Sequence, residues 1–289
     1  MGTVVDQISV VEAGWRDRHS ALRLADRAAR DCLRAAGRPA DEVDLLVNVG
    51  IYRDRNLGEP ALASMIQHDI GANPEPPPTG THGTFSFDVA NGSCGPLTAL
   101  QIVDGFLGAG VIDCALVVAA DADPGRRCSE SFPYSPTGSA LLCTWHEDAR
   151  GLGPVAWERS PDNRRLVSAT IAMAGDHNVL RVAETASAAS ELAYVAAGAA
   201  RRCLGAAATP LDRIDAVVAA PAGQEYRTEL AAQLNVPVDL ITVADDPRQH
   251  TASFASALTK ALAATSVGEQ VLVVAAGAGF SAGAALYRR

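Results

Sequence analysis

The sequence has no run near the roughly 20 uninterrupted apolar residues that a membrane-spanning helix needs. Its first residues, Met1 to Val11, carry Asp6 and no basic cluster, so they lack the make-up of a secretory signal. No C-x-x-C pair occurs. The six cysteines (Cys32, Cys94, Cys114, Cys128, Cys143 and Cys203) are scattered, without metal-site spacing, and a chain of this size has no need of a disulfide scaffold. They read as reduced thiols of a cytosolic protein, with no metal and no bound cofactor. Long runs of one charge sign are also missing. The formal net charge is -9, which argues against nucleic acid as the main partner, because phosphate binding needs a basic stripe. Aromatic residues make up only 5%, so the core has to be built from aliphatic side chains.

What is present is alanine-rich and duplicated. The 289 residues are 48% apolar, enough for two fused halves that share a core. Residues 28–47 read AARDCLRAAGRPADEVDLLV, and residues 199–218 read AARRCLGAAATPLDRIDAVV. The two align without a gap, with Cys32/Cys203, Pro39/Pro210, Asp41/Asp212 and Asp44/Asp215 among the identical pairs. In each copy a helical pattern leads through a short loop into an apolar run, Val43–Val49 or Ile214–Ala219. Such runs suit parallel strands covered on both faces. A second correspondence follows. A strand at Phe85–Val89, a helix from Cys94 to Leu107 and a strand from Cys114 have their match in a helix from Ala252 to Ala264 and a strand from Val271. Further strands are expected at Ala140–Trp145, Val155–Glu158 and Gly279–Tyr287, with loops or boundaries at Asn73–Gly83, Asp148–Gly153 and Ser160–Arg165. The pattern predicts an α/β protein of two pseudo-symmetric halves, 1–155 and 156–289, stacked as five layers: helix, sheet, helix, sheet, helix.

The chemistry is expected in residues 86–96, SFDVANGSCGP. A strand ends, Asn91-Gly92 makes a tight turn, and a helix opens with Ser93 at its start. A hydroxyl on a sharp strand-to-helix turn, beside the free N–H groups of a helix N-terminus, is the general layout of a nucleophile next to its oxyanion hole. The Gly277–Gly283 run leads into a strand, so it is no dinucleotide fingerprint.

These residues resemble the ketoacyl synthase III branch of the thiolase superfamily, whose elbow reads approximately F-D-V-x-x-A-C-x-G. Phe87-Asp88-Val89-Ala90-Asn91-Gly92-Ser93-Cys94-Gly95 puts the family's nucleophilic cysteine on Ser93, not on Cys94. Glu59–Gly71 is similar to the helix after the family's second strand. Thr137-Gly138-Ser139-Ala140 stands where the family has G-D-G-A, and Gly277 to Leu286 is similar to its closing strand. The departures are specific. The family's His, in H-Q-A-N or H-P-G-N, meets Ala219 to Gln224 here and is gone. The Asn of its G-N-T motif meets His250. On this resemblance, the family's first several dozen residues and part of the stretch between Gly153 and Ser187 are expected to be missing here.

The duplication places Ser93 and His250 before equivalent helices, so His250 is expected to reach Ser93 and serve as its base. The oxyanion is expected on the N–H of Ser93 and of Ala278 or Gly279. Asp245, Asp246 and Glu225 are candidates for the acid that orients His250. The resemblance implies acyl-CoA or acyl carrier protein as partner, a homodimer, and a role in natural-product, polyketide or fatty acid biosynthesis. The function expected is acyl transfer through Ser93. The alternatives are a non-catalytic partner that forms a heterodimer with an active homologous subunit, and a condensing enzyme with a relocated base.

Overall fold

The two copies of the repeat adopt the same backbone in the computed structural model, which describes residues 1–74, 83–160, 166–277, 279 and 281–289. In each, a helix is followed by an extended proline (Pro39, φ -73° and ψ 153°; Pro210, φ -72° and ψ 151°), one 3-10 turn and a parallel strand. The first helix, α1 (Ala21–Ala36), begins where the Ser20 hydroxyl accepts the Arg23 N–H. It ends at Gly37 with φ 66°, a left-handed cap that glycine takes without steric strain. The repeated aspartates act alike. Asp44 accepts the N–H groups of Asp113 and Cys114, and Asp215 accepts that of Gln270, so each fixes the start of the next strand but one.

The first half runs β1 (Gly2–Glu12), α1, β2 (Leu45–Asn48), α2 (Leu62–Ile70), β3 (Phe85–Asp88), α3 (Gly95–Gly108), β4 (Cys114–Asp121) and β5 (Thr137–His146). After a two-residue strand, β6 (Gly151–Leu152), the order returns. It runs β7 (Ala156–Arg159), a hairpin of β8 (Val167–Ala174) and β9 (His177–Glu184), α4 (Ala188–Ala206), β10 (Ala216–Ala220), α5 (Gln224–Leu234), β11 (Ile241–Thr242), α6 (Ser253–Ala264), β12 (Gln270–Gly277) and β13 (Ser281–Arg288). Strands β3, β2 and β4 are parallel, with β5 and then β1 antiparallel beside them. Strands β11, β10 and β12 are parallel, with β13 and then β7 antiparallel. The halves therefore share one topology.

Burial separates the layers along each strand. In β4, Ala115, Val117 and Ala119 face a central core, while Leu116, Val118 and Ala120 face an outer one. In β12, Val271, Val273 and Ala275 face the same central core, and Leu272, Val274 and Ala276 a second outer one. The central core holds α3 (Leu97, Leu100, Val103) and α6 (Phe254, Leu258), the outer cores α1 with α2 and α4 with α5. This is the expected helix–sheet–helix–sheet–helix stack, and it explains why the strands read as unbroken apolar runs.

Three features differ from the expectation. The sheets are not separate: Leu152 of β6 pairs with Thr3 and with Tyr287, which joins both halves into one hydrogen-bonded path. The N-terminal residues form the long strand β1, whose alternation is masked by a bulge between Val5 and Gln7. The middle stretch contains the β8–β9 hairpin, where Ile171 and Met173 are exposed. Residues 75–82 of the expected proline-rich loop and 161–165 of the second boundary lie outside the described residues. No helix among the described residues is long and apolar enough to cross a membrane.

Asp88 ties the elbow strand to the helix beside it. Helix α2 has no side-chain cap of its own. Asp88 instead accepts the N–H groups of Leu62 (2.9 Å) and Ala63 (2.8 Å), the Asn48 amide (3.0 Å) and the Arg53 guanidinium (2.8 Å). Burial works to raise this carboxyl, but those donors outweigh it and hold it below its usual value. Asp88→Ala strands all four donors and is expected to lower stability by about 3 kcal/mol. A urea titration checks this as a fallen midpoint with an unchanged slope.

Candidate active site

After β3 the chain turns through Gly92, at φ 54°, into one 3-10 turn, Gly92–Cys94, which opens α3. Ser93 is 4% exposed, and its Oγ donates to the carbonyl of Ala276 at 2.5 Å. The Cys94 Sγ lies 3.3 Å from the Ala275 carbonyl and 3.4 Å from that of Ser281. Burial pushes the Cys94 thiol up to about 12, which removes the thiolate at neutral pH. Cys94 is thus a packing residue and Ser93 the nucleophile candidate. The elbow lies against the corner between β12 and β13: a Cβ added at Gly277 would stand 3.3 Å from both Asn91 O and Cys94 Sγ. Gly279 sits exposed in that corner with φ 78°. Ala278, the other expected oxyanion residue, lies outside the described residues.

His250 stands just before α6, and its Nδ1 lies 2.9 Å from Oδ2 of Asp121. Asp121 is the last residue of β4, 2% exposed, and every other donor around it is placed as well. Oδ1 accepts the N–H groups of Ile51 (2.9 Å) and Tyr52 (2.8 Å). Oδ2 also accepts the Thr251 N–H (3.0 Å) and hydroxyl (2.6 Å). Burial works to raise the Asp121 carboxyl, yet the His250 charge and these hydrogen bonds outweigh it and hold the group at about 2. A carboxylate only accepts, so Nδ1 of His250 carries a proton, and in the neutral form of the ring the lone pair is on Nε2. The ring is stacked on Tyr134, centroids 4.5 Å apart, and tilted against Tyr52 at 5.1 Å.

Two expectations are corrected. The acid that holds His250 is Asp121. Asp245 instead pairs with Lys260 at 2.5 Å, Asp246 accepts the Arg248 N–H at 2.9 Å, and Glu225 sits on the exposed first turn of α5. Second, no hydrogen bond joins Ser93 to His250. The hydroxyl bonds to Ala276 and the imidazole to Asp121, although α3 and α6, which these residues open, pack into one central core. Among the described residues, no group of three His, Cys, Asp or Glu side chains is placed to hold a metal ion.

No family model matches the chain. Curated relatives do. The β-ketoacyl-[acyl-carrier-protein] synthase III of Caulobacter vibrioides is 32% identical over 168 residues, 56% of this chain and 47% of that protein. The match with the Novosphingobium aromaticivorans protein of the same name covers 36% of it, so this chain spans half or less of the length of these two relatives. The Paramagnetospirillum magneticum protein, again of that name, is 28% identical across 98% of this chain and 90% of its own. Among solved structures, 3-oxoacyl-[acyl-carrier-protein] synthase III from Aquifex aeolicus gives a TM-score of 0.80 at 18% identity, covering all of both chains. A cysteine-to-serine variant of Xanthomonas campestris OleA, solved with lauric acid and lauroyl-CoA, gives 0.82 at 16% identity, covering 100% of this chain and 99% of that one. The structures speak for the fold and the sequence relatives for the branch. With its duplicated halves and its strand–turn–helix elbow, this chain has the thiolase-like fold of these structures and is similar along its length to ketoacyl-ACP synthases III.

Proposed function

We propose that the chain is a ketosynthase III-like acyltransferase, which takes an acyl group from a CoA or carrier-protein thioester onto Ser93 and passes it to an acceptor. The observation that carries this reading is the Asp121–His250 pair: a buried, fully bonded carboxylate that fixes one imidazole tautomer at the helix start equivalent to that of Ser93. In the step proposed, the Ser93 hydroxyl leaves Ala276 and turns to His250. Nε2 takes its proton as Oγ bonds to the thioester carbonyl carbon. The oxyanion lies on the Ser93 N–H and on the corner around Gly279. It collapses, the C–S bond breaks, and the departing sulfur takes the proton from His250. The same base then activates a hydroxyl, amine or carrier thiol as acceptor. Ala219 to Gln224 stand where the family carries its histidine and contain none, so transfer to a heteroatom is favoured over carbon–carbon condensation. The lauroyl-CoA bound by the OleA serine variant makes long acyl-CoAs the first donors to screen. The working assembly is a homodimer.

Intact mass after incubation with acyl-CoA and acyl carrier donors tests the reading. The expected adduct forms in the wild type and in Cys94→Ala and is absent in Ser93→Ala. An adduct that survives Ser93→Ala overturns it. One observation favours a second reading, a non-catalytic partner subunit: the Ser93 hydroxyl is engaged with the Ala276 carbonyl and not with His250. No adduct with any donor, together with co-purification of a homologous subunit, would establish that role.

A further inference from the structure

Hydrogen bonding holds the His250 ring at a single point. Nδ1 is tied to Asp121, and one such bond leaves the imidazole free to turn about its direction. Two aromatic faces remove that freedom. Tyr134 lies against the ring with centroids 4.5 Å and planes 26° apart. Tyr52 meets it at 5.1 Å and 44°. The two tyrosines stack on each other at 5.2 Å and 24°, and Phe132 closes edge-on against both, at 5.5 and 5.7 Å. In a chain with few aromatics, every ring contact among the described residues belongs to this group except that of Phe85 with Phe87.

The stack is itself framed by backbone. Upstream of Tyr134, the Leu180 N–H of β9 donates to the Cys128 carbonyl (2.8 Å), and the Glu130 N–H donates back to Leu180 (3.1 Å). Downstream, the Ser135 N–H donates to the Arg248 carbonyl (2.9 Å), two residues before His250. Tyr52 donates its own N–H to Asp121, the carboxylate that holds the imidazole. The hairpin, the loop that precedes β5 and the approach to α6 therefore meet at one ring.

We infer that Tyr134, backed by Tyr52, is a positioning residue that fixes the plane of the His250 imidazole and so the direction of Nε2. The inference rests on the reading of His250 as the base for Ser93. The face of the ring, not the hydroxyl, does the positioning. A base whose lone pair swings by an ångström loses on the order of 100-fold in rate, because proton transfer depends on a near-attack geometry.

The test is single-turnover acylation with the donor found by intact mass, run on Tyr134→Leu, Tyr134→Phe and Phe132→Leu, with thermal melting as the control for folding. Phe132 touches both tyrosines but makes no ring contact with His250, so it reports general packing. Tyr134→Leu is expected to lower the acylation rate constant about 100-fold with KM within about twofold. Tyr134→Phe, which keeps the stack, and Phe132→Leu stay near the wild-type rate. The inference is overturned if Tyr134→Leu acylates at the wild-type rate. It is also overturned if the loss appears in KM alone, if Tyr134→Phe falls as far as Tyr134→Leu, or if Phe132→Leu matches it. Ser93→Ala in the same series separates the two claims. An adduct there sinks the Ser93 reading itself, whereas its loss there beside an unaffected Tyr134→Leu sinks only the positioning role.

Discussion

An Asp121→Asn variant is expected to lose about four orders of magnitude in the rate of acyl transfer to Ser93, the size of effect seen when an orienting acid no longer fixes the histidine tautomer. Five donors converge on the Asp121 carboxylate, and an amide offers them one oxygen in place of two. With the NH2 group toward His250, the ring must accept at Nδ1 and carry its proton on Nε2, where it cannot act as a base. With the amide flipped, NH2 faces the Ile51 and Tyr52 N–H groups, donor against donor. Single-turnover mass spectrometry on protein shown to be folded by circular dichroism checks the rate. The same variant has an acid signature. A carboxyl held at about 2 in the fold, against 3.8 for an ordinary aspartate, stabilises the native state at every pH above the higher figure. That contribution, about 2 kcal/mol, fades as pH falls from about 4 toward 2. The stability gap between wild type and Asp121→Asn should narrow across that window. A gap that stayed constant would show that Asp121 is not held as described.

Gly50→Ala should be the most damaging single-methyl change in this region, lowering stability by about 3 kcal/mol or more. A Cβ at residue 50 would stand 2.2 Å from the Ala120 carbonyl oxygen and 2.8 Å from its nitrogen. Both are main-chain atoms, so no rotamer can relieve the overlap. Strands β2 and β4 must part, and they part where Ile51 and Tyr52 turn their N–H groups onto Asp121. The loss of stability should therefore come with a loss of acylation. Gly58→Ala serves as the comparison, since a Cβ there meets nothing within 4 Å. Urea midpoints for the pair measure the difference. Equal midpoints would show that the two strands do not approach as closely as stated.

Much of this architecture could be read from residues. The repeat at 28–47 and 199–218 was legible because helix, proline turn and buried strand each constrain the side chains they use, and both copies kept those constraints. The elbow at Ser93 was legible for the same reason: a strand, a tight turn and a helix start leave a local record. Strand β1 was hidden by its bulge. Hairpin β8–β9 left little trace because most of β8 faces outward, so no buried stripe marks it. Within the site, His250 could be found by its place before the matching helix, but its partner could not. Asp121 is 129 residues away in sequence, and candidates near His250 were more visible for being close by. The signal that could have found it is the lone charge that ends the apolar run Cys114–Ala120, since ligands gather at the carboxyl ends of parallel strands. That the Ser93 hydroxyl bonds a carbonyl of β12, and not the imidazole, depends on a side-chain torsion that no sequence pattern records.

Leu152 bridges Thr3 and Tyr287 at once, and one further residue, Gly153, donates to the Leu286 carbonyl at 2.7 Å. The junction is a seam and not a hinge. Each half contributes only one of the two helices that fill the space between the sheets, so neither could cover its inner surface alone. Genetic severing at the seam would yield two fragments that need each other to become protein at all.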